Sequence, residues 1–331
     1  MPCYNAAETL EEALSSITRQ TLEDFELVAV DDGSTDTSFV ILQAWASNDR
    51  RIHPISLPHR GIVTALNTGL QACQAPYVAR MDTDDRSHPK RLARQAAYLD
   101  AHPEVGVVSC CVVGFPEQEV RQGFRIYMDW LNALHTNEDI RREMFVESPL
   151  PHPSVTFRRD LINRVGGYQE HDWPEDYDLW LRLYLDEVLF SKLPEILLDW
   201  REHPDRLSRT DSRYSLENFL RAKAFYLARG PLANRDAIIL WGAGMIGRRL
   251  SKHLDRQGVP LVAFVDIDPT KIGHTLRRLP IIPPEHLLHC WQRHQYPALL
   301  ATVGARGARQ LIRQRLDAFG LREGIDWWGT A

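Results

Sequence analysis

Apolar positions in the first hundred residues switch repeatedly between helical and extended spacing. Leu10, Leu14 and Ile17 recur at helical intervals, and Asn5 followed three residues later by Glu8 reads as a capping box ahead of them. The run Glu-Leu-Val-Ala-Val at 26–30 reads as a buried strand that stops at Asp31-Asp32-Gly33. Ile62, Leu66 and Leu70 mark a second helix, followed by a strand over 77–81 that stops at Asp82. Pro89 stands where a third helix starts, carried by Leu92, Ala96 and Leu99, and 105–108 opens the next strand. This βαβα order predicts an α/β domain on a mostly parallel sheet with helices on both faces. Ligands bind such sheets at the carboxyl ends of strands. Two of these strands end in aspartate clusters.

The stretch 208–235 is polar and helical in pattern, ending at Gly230-Pro231. A second strand run, 237–241, then enters Gly242-Ala243-Gly244-Met245-Ile246-Gly247. We place a helical linker at 211–235 and a second α/β domain at 236–331. No internal repeat or low-complexity segment stands out. The opening Met1-Pro2-Cys3-Tyr4-Asn5 reads as a turn into a helix, where a parallel sheet would deliver a strand first.

Composition narrows the class. A chain of 331 residues suggests about two domains. Thirty-nine Lys and Arg against forty-four Asp and Glu leave a net charge of -5, which argues against a nucleic-acid partner. No apolar run approaches the ~18 residues of a membrane span. No basic segment followed by an apolar one marks a secretory signal. Five cysteines without CxxC spacing read as thiols in a reducing compartment rather than as disulfides or a zinc site. The expected protein is a cytoplasmic enzyme.

The acidic clusters carry the candidate chemistry. Asp82-Thr83-Asp84 puts two carboxylates on one side of an extended segment, and Asp85 continues the cluster. Hard divalent cations such as Mg²⁺ or Mn²⁺ take carboxylate oxygens together with substrate phosphates. Asp31-Asp32-Gly33-Ser34-Thr35-Asp36 also follows a strand, although an Asp-Gly turn with a helix cap would satisfy that pattern alone. Like charges gathered in a cleft are costly unless a cation or donor groups compensate. A third cluster, Glu175-Asp176-Tyr177-Asp178, falls in the first turn of a helix marked by Leu179, Trp180 and Leu183. The helix dipole there favours an ionised carboxylate, which a general base must be.

Taken in order, these motifs resemble the family 2 glycosyltransferases. The resemblance rests on Pro2-Cys3-Tyr4-Asn5, 30–36, Met81-Asp82-Thr83-Asp84-Asp85 and Glu175-Asp176-Tyr177-Asp178-Leu179. Arg60-Gly61 through Asn67-Thr68-Gly69, His152-Pro153-Ser154, Gly166-Gly167-Tyr168 and Arg201-Glu202-His203 with Ser208 add to it, so that it covers 1–210. It implies the GT-A fold with a mixed, mostly parallel sheet, and an inverting enzyme that uses nucleotide sugars. Carried over by position, Pro2, Tyr4, Asn5 and Asp32, with Asp31 as the alternative to Asp32, would contact the nucleobase and ribose. Asp82 would face ribose or metal, and Asp84 would be the main ligand of Mn²⁺ or Mg²⁺ bridging the diphosphate. Asp176 would be the general base, with Glu175 beside it, and His203 would approach the diphosphate or metal. The expected donor is a UDP-sugar and the expected acceptor a glycan or lipid-linked glycan. A lipid-linked acceptor would bring the protein to the inner face of the membrane, although no amphipathic basic helix marks the sequence. The family normally has a strand before the Pro-x-Tyr-Asn turn, so a start several residues upstream of Met1 is expected. Many members carry Arg just before the Asn of the third motif, where this chain has Leu66.

The second half carries its own motif. Gly242-x-Gly244-x-x-Gly247 follows a strand and precedes the helical pattern Ile246, Leu250, Leu254, and a strand over 261–265 ends at Asp266, nineteen residues beyond Gly247. That is the layout of a dinucleotide fingerprint, in which glycines admit phosphate to a helix N-terminus and the acid takes a ribose hydroxyl. The module resembles the small Rossmann-like nucleotide-binding domain found before sugar acyltransferases and appended to some glycosyltransferases. Three readings stand for it: a regulatory nucleotide or sugar-nucleotide site, a docking module without ligand, and an NAD-using activity. For the whole chain, glycosyl transfer in polysaccharide or glycoconjugate synthesis leads. The alternatives are a nucleotide-sugar oxidoreductase or epimerase acting at the Gly242 loop, and a non-catalytic nucleotide-sugar sensor.

Overall fold

The computed structural model describes residues 1–331, with strands and helices alternating throughout. The strands are β1 (Pro2–Cys3), β2 (Leu27–Asp31), β3 (Ile52–Ser56), β4 (Tyr77–Ala79), β5 (Arg86–Ser87), β6 (Val105–Phe115), β7 (Thr156–Arg158) and β8 (Leu189–Arg201), followed by β9 (Ala237–Trp241), β10 (Leu261–Val265), β11 (Thr275–Leu276), β12 (Leu279–Ile282), β13 (Pro297–Ala301) and β14 (Trp327–Gly329). One unit comprises Met1–Ile140, Pro149–His171 and Glu175–Thr210, and the other Arg141–Ser148, Asp172–Pro174 and Asp211–Ala331. No helix is long and apolar enough to cross a membrane.

The first unit departs from the expected single, mostly parallel sheet. β1, β2 and β3 form a parallel sheet in that order, while β4-β7-β6-β8-β5 form a separate mixed sheet. Within the mixed sheet β6 and β8 run parallel, and β4, β7 and β5 pair antiparallel with their neighbours. Beside β2, Pro2 and Cys3 pair with Val30 and Asp31, and β1 does not pair with β4. β2 is buried along its whole length, as a parallel strand covered on both faces must be, which explains its unbroken apolar run. In β8 the register against β6 slips between Leu193 and Ile196, which accommodates Pro194 in a bulge where no ladder N–H is needed.

The helix Leu10–Thr18 buries Leu10 and Leu14 completely, worth about 1.5–3 kcal/mol each. It is not entered through the expected capping box. Asn5 takes a left-handed conformation (φ 47°) and its side-chain oxygen accepts the Thr35 N–H instead (2.8 Å), and the helix begins at Leu10 after Thr9, which makes no side-chain cap. Competition from a backbone donor thirty residues away decided the matter.

In the second unit the sheet order is β11-β12-β10-β9-β13-β14, parallel except for β11. The sequence thus proceeds outward from β9 first on one side and then on the other. The helix Leu216–Arg229 lies in this unit and is capped by Ser215, whose side chain accepts the Asn218 N–H. Segment 141–148 joins it through polar anchors: Arg309 donates to Glu143 (2.6 Å), and Lys223 Nζ donates to the carbonyls of Val146 (2.7 Å) and Thr330 (3.2 Å).

Candidate active site

At the carboxyl end of β2, neighbouring aspartates have different surroundings. Asp31 is buried, its Oδ2 accepts the Ser34 N–H (3.2 Å), and its Oδ1 has no partner. Both oxygens of Asp32 are occupied, by the N–H groups of Arg60 (2.9 Å) and Gly61 (2.8 Å), and His59 Nδ1 lies 2.9 Å from Oδ2. Gly33 makes the turn possible: its φ is +74°, and a Cβ there would meet the His59 backbone nitrogen at 2.6 Å. His59 in turn stacks on the exposed ring of Tyr4, with centroids 4.2 Å apart. Tyr4, Asn5, Asp31 and Asp32 are therefore one local assembly, and Pro2 is its strand anchor on Val30.

A second assembly follows β4. Ligand oxygens of Asp82, Asp84 and Asp85 lie within 4.8 Å of one another. Asp82 Oδ1 receives Arg80 Nη2 (2.7 Å), Asp84 Oδ2 lies 3.0 Å from His203 Nε2, and Asp85 accepts the Arg201 N–H (2.8 Å). Burial would lift the Asp84 carboxyl, yet the hydrogen bond and charge of His203 and the charge of Arg206 hold it below the usual range. Burial and the neighbouring charges of Asp84 and Asp82 push Asp85 well above it. Asp85 Oδ2 is buried without a partner. A hard-oxygen cluster with an orphaned buried oxygen and mutual repulsion fits a divalent cation of the Mg²⁺ or Mn²⁺ type. Asp82, Asp84 and Asp85 would hold it, with His203 beside Asp84.

The third assembly opens the helix Glu175–Leu185. Burial, then the charge of Glu175, push the Asp176 carboxyl up to about 7, against the opposing Tyr177 N–H (2.7 Å) and Arg80. Arg80 connects this assembly with the second. Its guanidinium is buried beside Asp82, and its charge acts on Glu175 and Asp176 as well. Behind it, buried Arg91 donates to the carbonyls of Arg80 and Pro153. Other parts of the resemblance are scaffold: Asn67 bonds the Tyr168 N–H (2.9 Å) and C=O (2.8 Å), and Asp178 accepts from Arg182 Nε (2.8 Å).

Arg80 and His59 were missed in sequence. The available signal for Arg80 was a cation inside an otherwise apolar strand run, two residues before Asp82. His59 offered none, because its role depends on Asp32 and Tyr4 arriving from other elements.

The glycine loop of the second unit is closed upon itself. Gly242 has φ +125°, and a Cβ on Gly247 would lie 1.9 Å from the Gly242 carbonyl, so only glycine fits there. Asp266 Oδ2 accepts the Ala243 N–H (2.9 Å) and lies 3.2 Å from Lys271 Nζ, and Oδ1 accepts the Asp268 N–H (3.0 Å). Burial would raise its carboxyl, but these donors hold it below the usual range.

Comparison with known proteins agrees with the position of the first unit. The model of the family described as glycosyl transferase family 2 matches residues 1–166. The amylovoran biosynthesis glycosyltransferase AmsE of Erwinia amylovora is 34% identical over 206 residues, 61% of this chain and 74% of that protein. EpsE of Bacillus subtilis, also named as a glycosyltransferase, is 31% identical over 223 residues, 66% of this chain and 77% of that protein. Among solved structures, S. aureus TarS 1-349 in complex with UDP-GlcNAc shares the fold with a TM-score of 0.56 at 20% identity, covering 77% of this chain and 70% of that one.

Proposed function

This chain belongs to glycosyltransferase family 2 and is a glycosyltransferase, and we propose that it transfers a sugar, with inversion, from a UDP-sugar to a hydroxyl of a glycan or lipid-linked acceptor in surface polysaccharide assembly. The donor class is supported by the UDP-GlcNAc bound to TarS, and the pathway class by the name of AmsE. The observation that carries the reading is the pairing of an acidic cluster at Asp82, Asp84 and Asp85 with a carboxyl at Asp176 poised near neutrality, both within the field of Arg80.

In this reading Tyr4, Asn5 and Asp31 receive the nucleoside, with the open oxygen of Asp31 as the acceptor for a ribose or base donor, while Asp32, its oxygens taken by the Arg60 and Gly61 N–H groups, holds the turn. Asp176 removes the acceptor hydroxyl proton as that oxygen bonds to the anomeric carbon. The sugar–phosphate bond breaks on the opposite face, and the electron pair leaves with the nucleoside diphosphate. A single displacement inverts the anomeric centre, as when inverting glycosidases activate water. A bound divalent cation supplies Lewis-acid compensation for the charge on the departing diphosphate. Glu175 keeps Asp176 basic through its own charge. Arg80 holds Asp82 in place and limits the repulsion among the carboxylates.

We place a Rossmann-like module in the second unit and assign it no reaction. Chemistry at the Gly242 loop is not favoured, because the acid that would take a ribose hydroxyl is already bound by Ala243, Asp268 and Lys271. A sensor without turnover is not favoured either, since the relatives are named as transferases. The test is release of UDP from UDP-sugars with Mn²⁺ and a glycan acceptor. Turnover in the wild type, reduced roughly a hundredfold or more in Asp84→Ala, supports the reading. Turnover unchanged in Asp84→Ala contradicts it.

A further inference from the structure

Four side chains from separate elements of the first unit meet beside the acidic cluster. Glu12 comes from the helix Leu10–Thr18, Arg86 from β5, Phe115 from the end of β6 and Arg201 from the end of β8. Each guanidinium takes one oxygen of the Glu12 carboxylate, Arg86 at Oε1 and Arg201 at Oε2. Both also stand over the Phe115 ring, with Cζ 4.2 and 4.4 Å from its centroid. Burial would raise the Glu12 carboxyl, but the two guanidiniums hold it below the usual range. From this cluster Arg201 reaches the segment 84–85 in two places. Its Nε donates to the Asp84 carbonyl (2.6 Å), and its backbone N–H donates to Asp85 Oδ1 (2.8 Å). The next N–H, of Glu202, bonds the Phe115 carbonyl (2.8 Å) and ties the same stretch to β6.

The oxygens that Arg201 leaves untouched matter as much as those it binds. Its guanidinium holds the backbone of Asp84 rather than the carboxylate, and its N–H occupies one oxygen of Asp85 while Oδ2 stays open. Three carboxylates whose oxygens lie within 4.8 Å repel one another, and an arginine free to swing would neutralise them as a resident cation. Glu12 supplies the counter-charge that keeps this guanidinium out of the cluster, and stacking on Phe115 fixes the direction of its planar fork. Partners that orient metal ligands in this way change metal affinity about 10–100-fold when they are removed. We infer that Arg201, held by Glu12 and Phe115, is a positioning residue of the cation site: it fixes Asp84 and Asp85 so that their remaining oxygens converge on a divalent cation. The inference rests on the reading of Asp82, Asp84 and Asp85 as that site.

Mn²⁺ binding to the full chain, read from loss of the free-Mn²⁺ electron paramagnetic resonance signal, tests this without turnover. Glu12→Gln and Arg201→Gln should each weaken the Kd for Mn²⁺ about tenfold or more, with the metal-free Tm within about 5 °C of wild type. In UDP release, Glu12→Gln should raise the half-saturating Mn²⁺ concentration by a similar factor, and saturating Mn²⁺ should restore kcat to within about threefold. Glu195→Gln, which removes an exposed ion pair with Arg94, is the control for net charge and should leave the Kd unchanged. The Glu12 side chain is 40% exposed, so Glu12→Gln decides the matter if Arg201→Gln does not fold. A wild-type Kd in Glu12→Gln overturns the inference and leaves the transferase reading standing, as does an equal weakening in Glu195→Gln. A wild type that binds no Mn²⁺ removes the cation site and the inference with it.

Discussion

β2 in the first unit and β10 in the second are parallel strands, and aspartate stands at the carboxyl end of each, at Asp31-Asp32 and at Asp266. In the first unit two carboxylate oxygens, Asp31 Oδ1 at the end of β2 and Asp85 Oδ2 in the segment between β4 and β5, are buried without donors, and Asp176 is lifted to about 7. In the second unit Asp266 has three donors of its own, two backbone N–H groups and Lys271, and its carboxyl is held low. An acid at a strand end is thus a position and not yet a function. What separates the two is uncompensated charge, which a cation or substrate donors can relieve. One set of carboxylates has unfilled demand, and the other stabilises its own loop.

The strongest way to break this contrast is Asp176→Asn, which leaves shape intact and removes the base. We expect kcat to fall by about 10³ with Tm little changed. Activity within a few-fold of wild type would remove Asp176 from the chemistry. A finer probe is pH. Because the ionised base is the active form, kcat/KM should rise with pH through about 7. Glu175→Gln removes the charge that helps hold Asp176 up, so the rising limb should move to lower pH; a limb that stays in place would show that Glu175 does not tune Asp176. The smallest expected effect belongs to the second unit. Asp266→Asn weakens the Lys271 and N–H contacts and should cost about 1–2 kcal/mol in unfolding, with kcat changed less than about twofold. A large loss of turnover in that variant would erase the distinction between the units.

Much of this was legible along the chain because the signals are local. The strands read at 26–30 and 237–241, the helices starting near Ile62 and Glu175, and the acidic residues Asp82, Asp84, Asp85, Glu175 and Asp176 all follow from spacing and from position at the end of a strand or the start of a helix. What escaped were features created by distant partners. Asn5 could cap its own helix but is drawn to Thr35. Asp32 is the expected nucleotide contact in sequence, with Asp31 as the alternative, yet the backbone of Arg60 and Gly61 fills the oxygens of Asp32 and it is Asp31 that keeps one open. The same holds for 141–148, which joins the second unit through Arg309 and Lys223, residues that no local pattern connects with it. Periodicity reports which face is buried; it carries no information on which donor reaches a given oxygen first.

Crystals soaked with a UDP-sugar and Mn²⁺ test the central contrast most directly, since manganese is located by its anomalous signal. The account predicts one peak within about 2.3 Å of a carboxylate oxygen of Asp84, with the diphosphate on it and the nucleoside against Tyr4 and Asp31. Manganese or donor settling at the Gly242 loop, with the Asp82–Asp85 oxygens left bare, would contradict it.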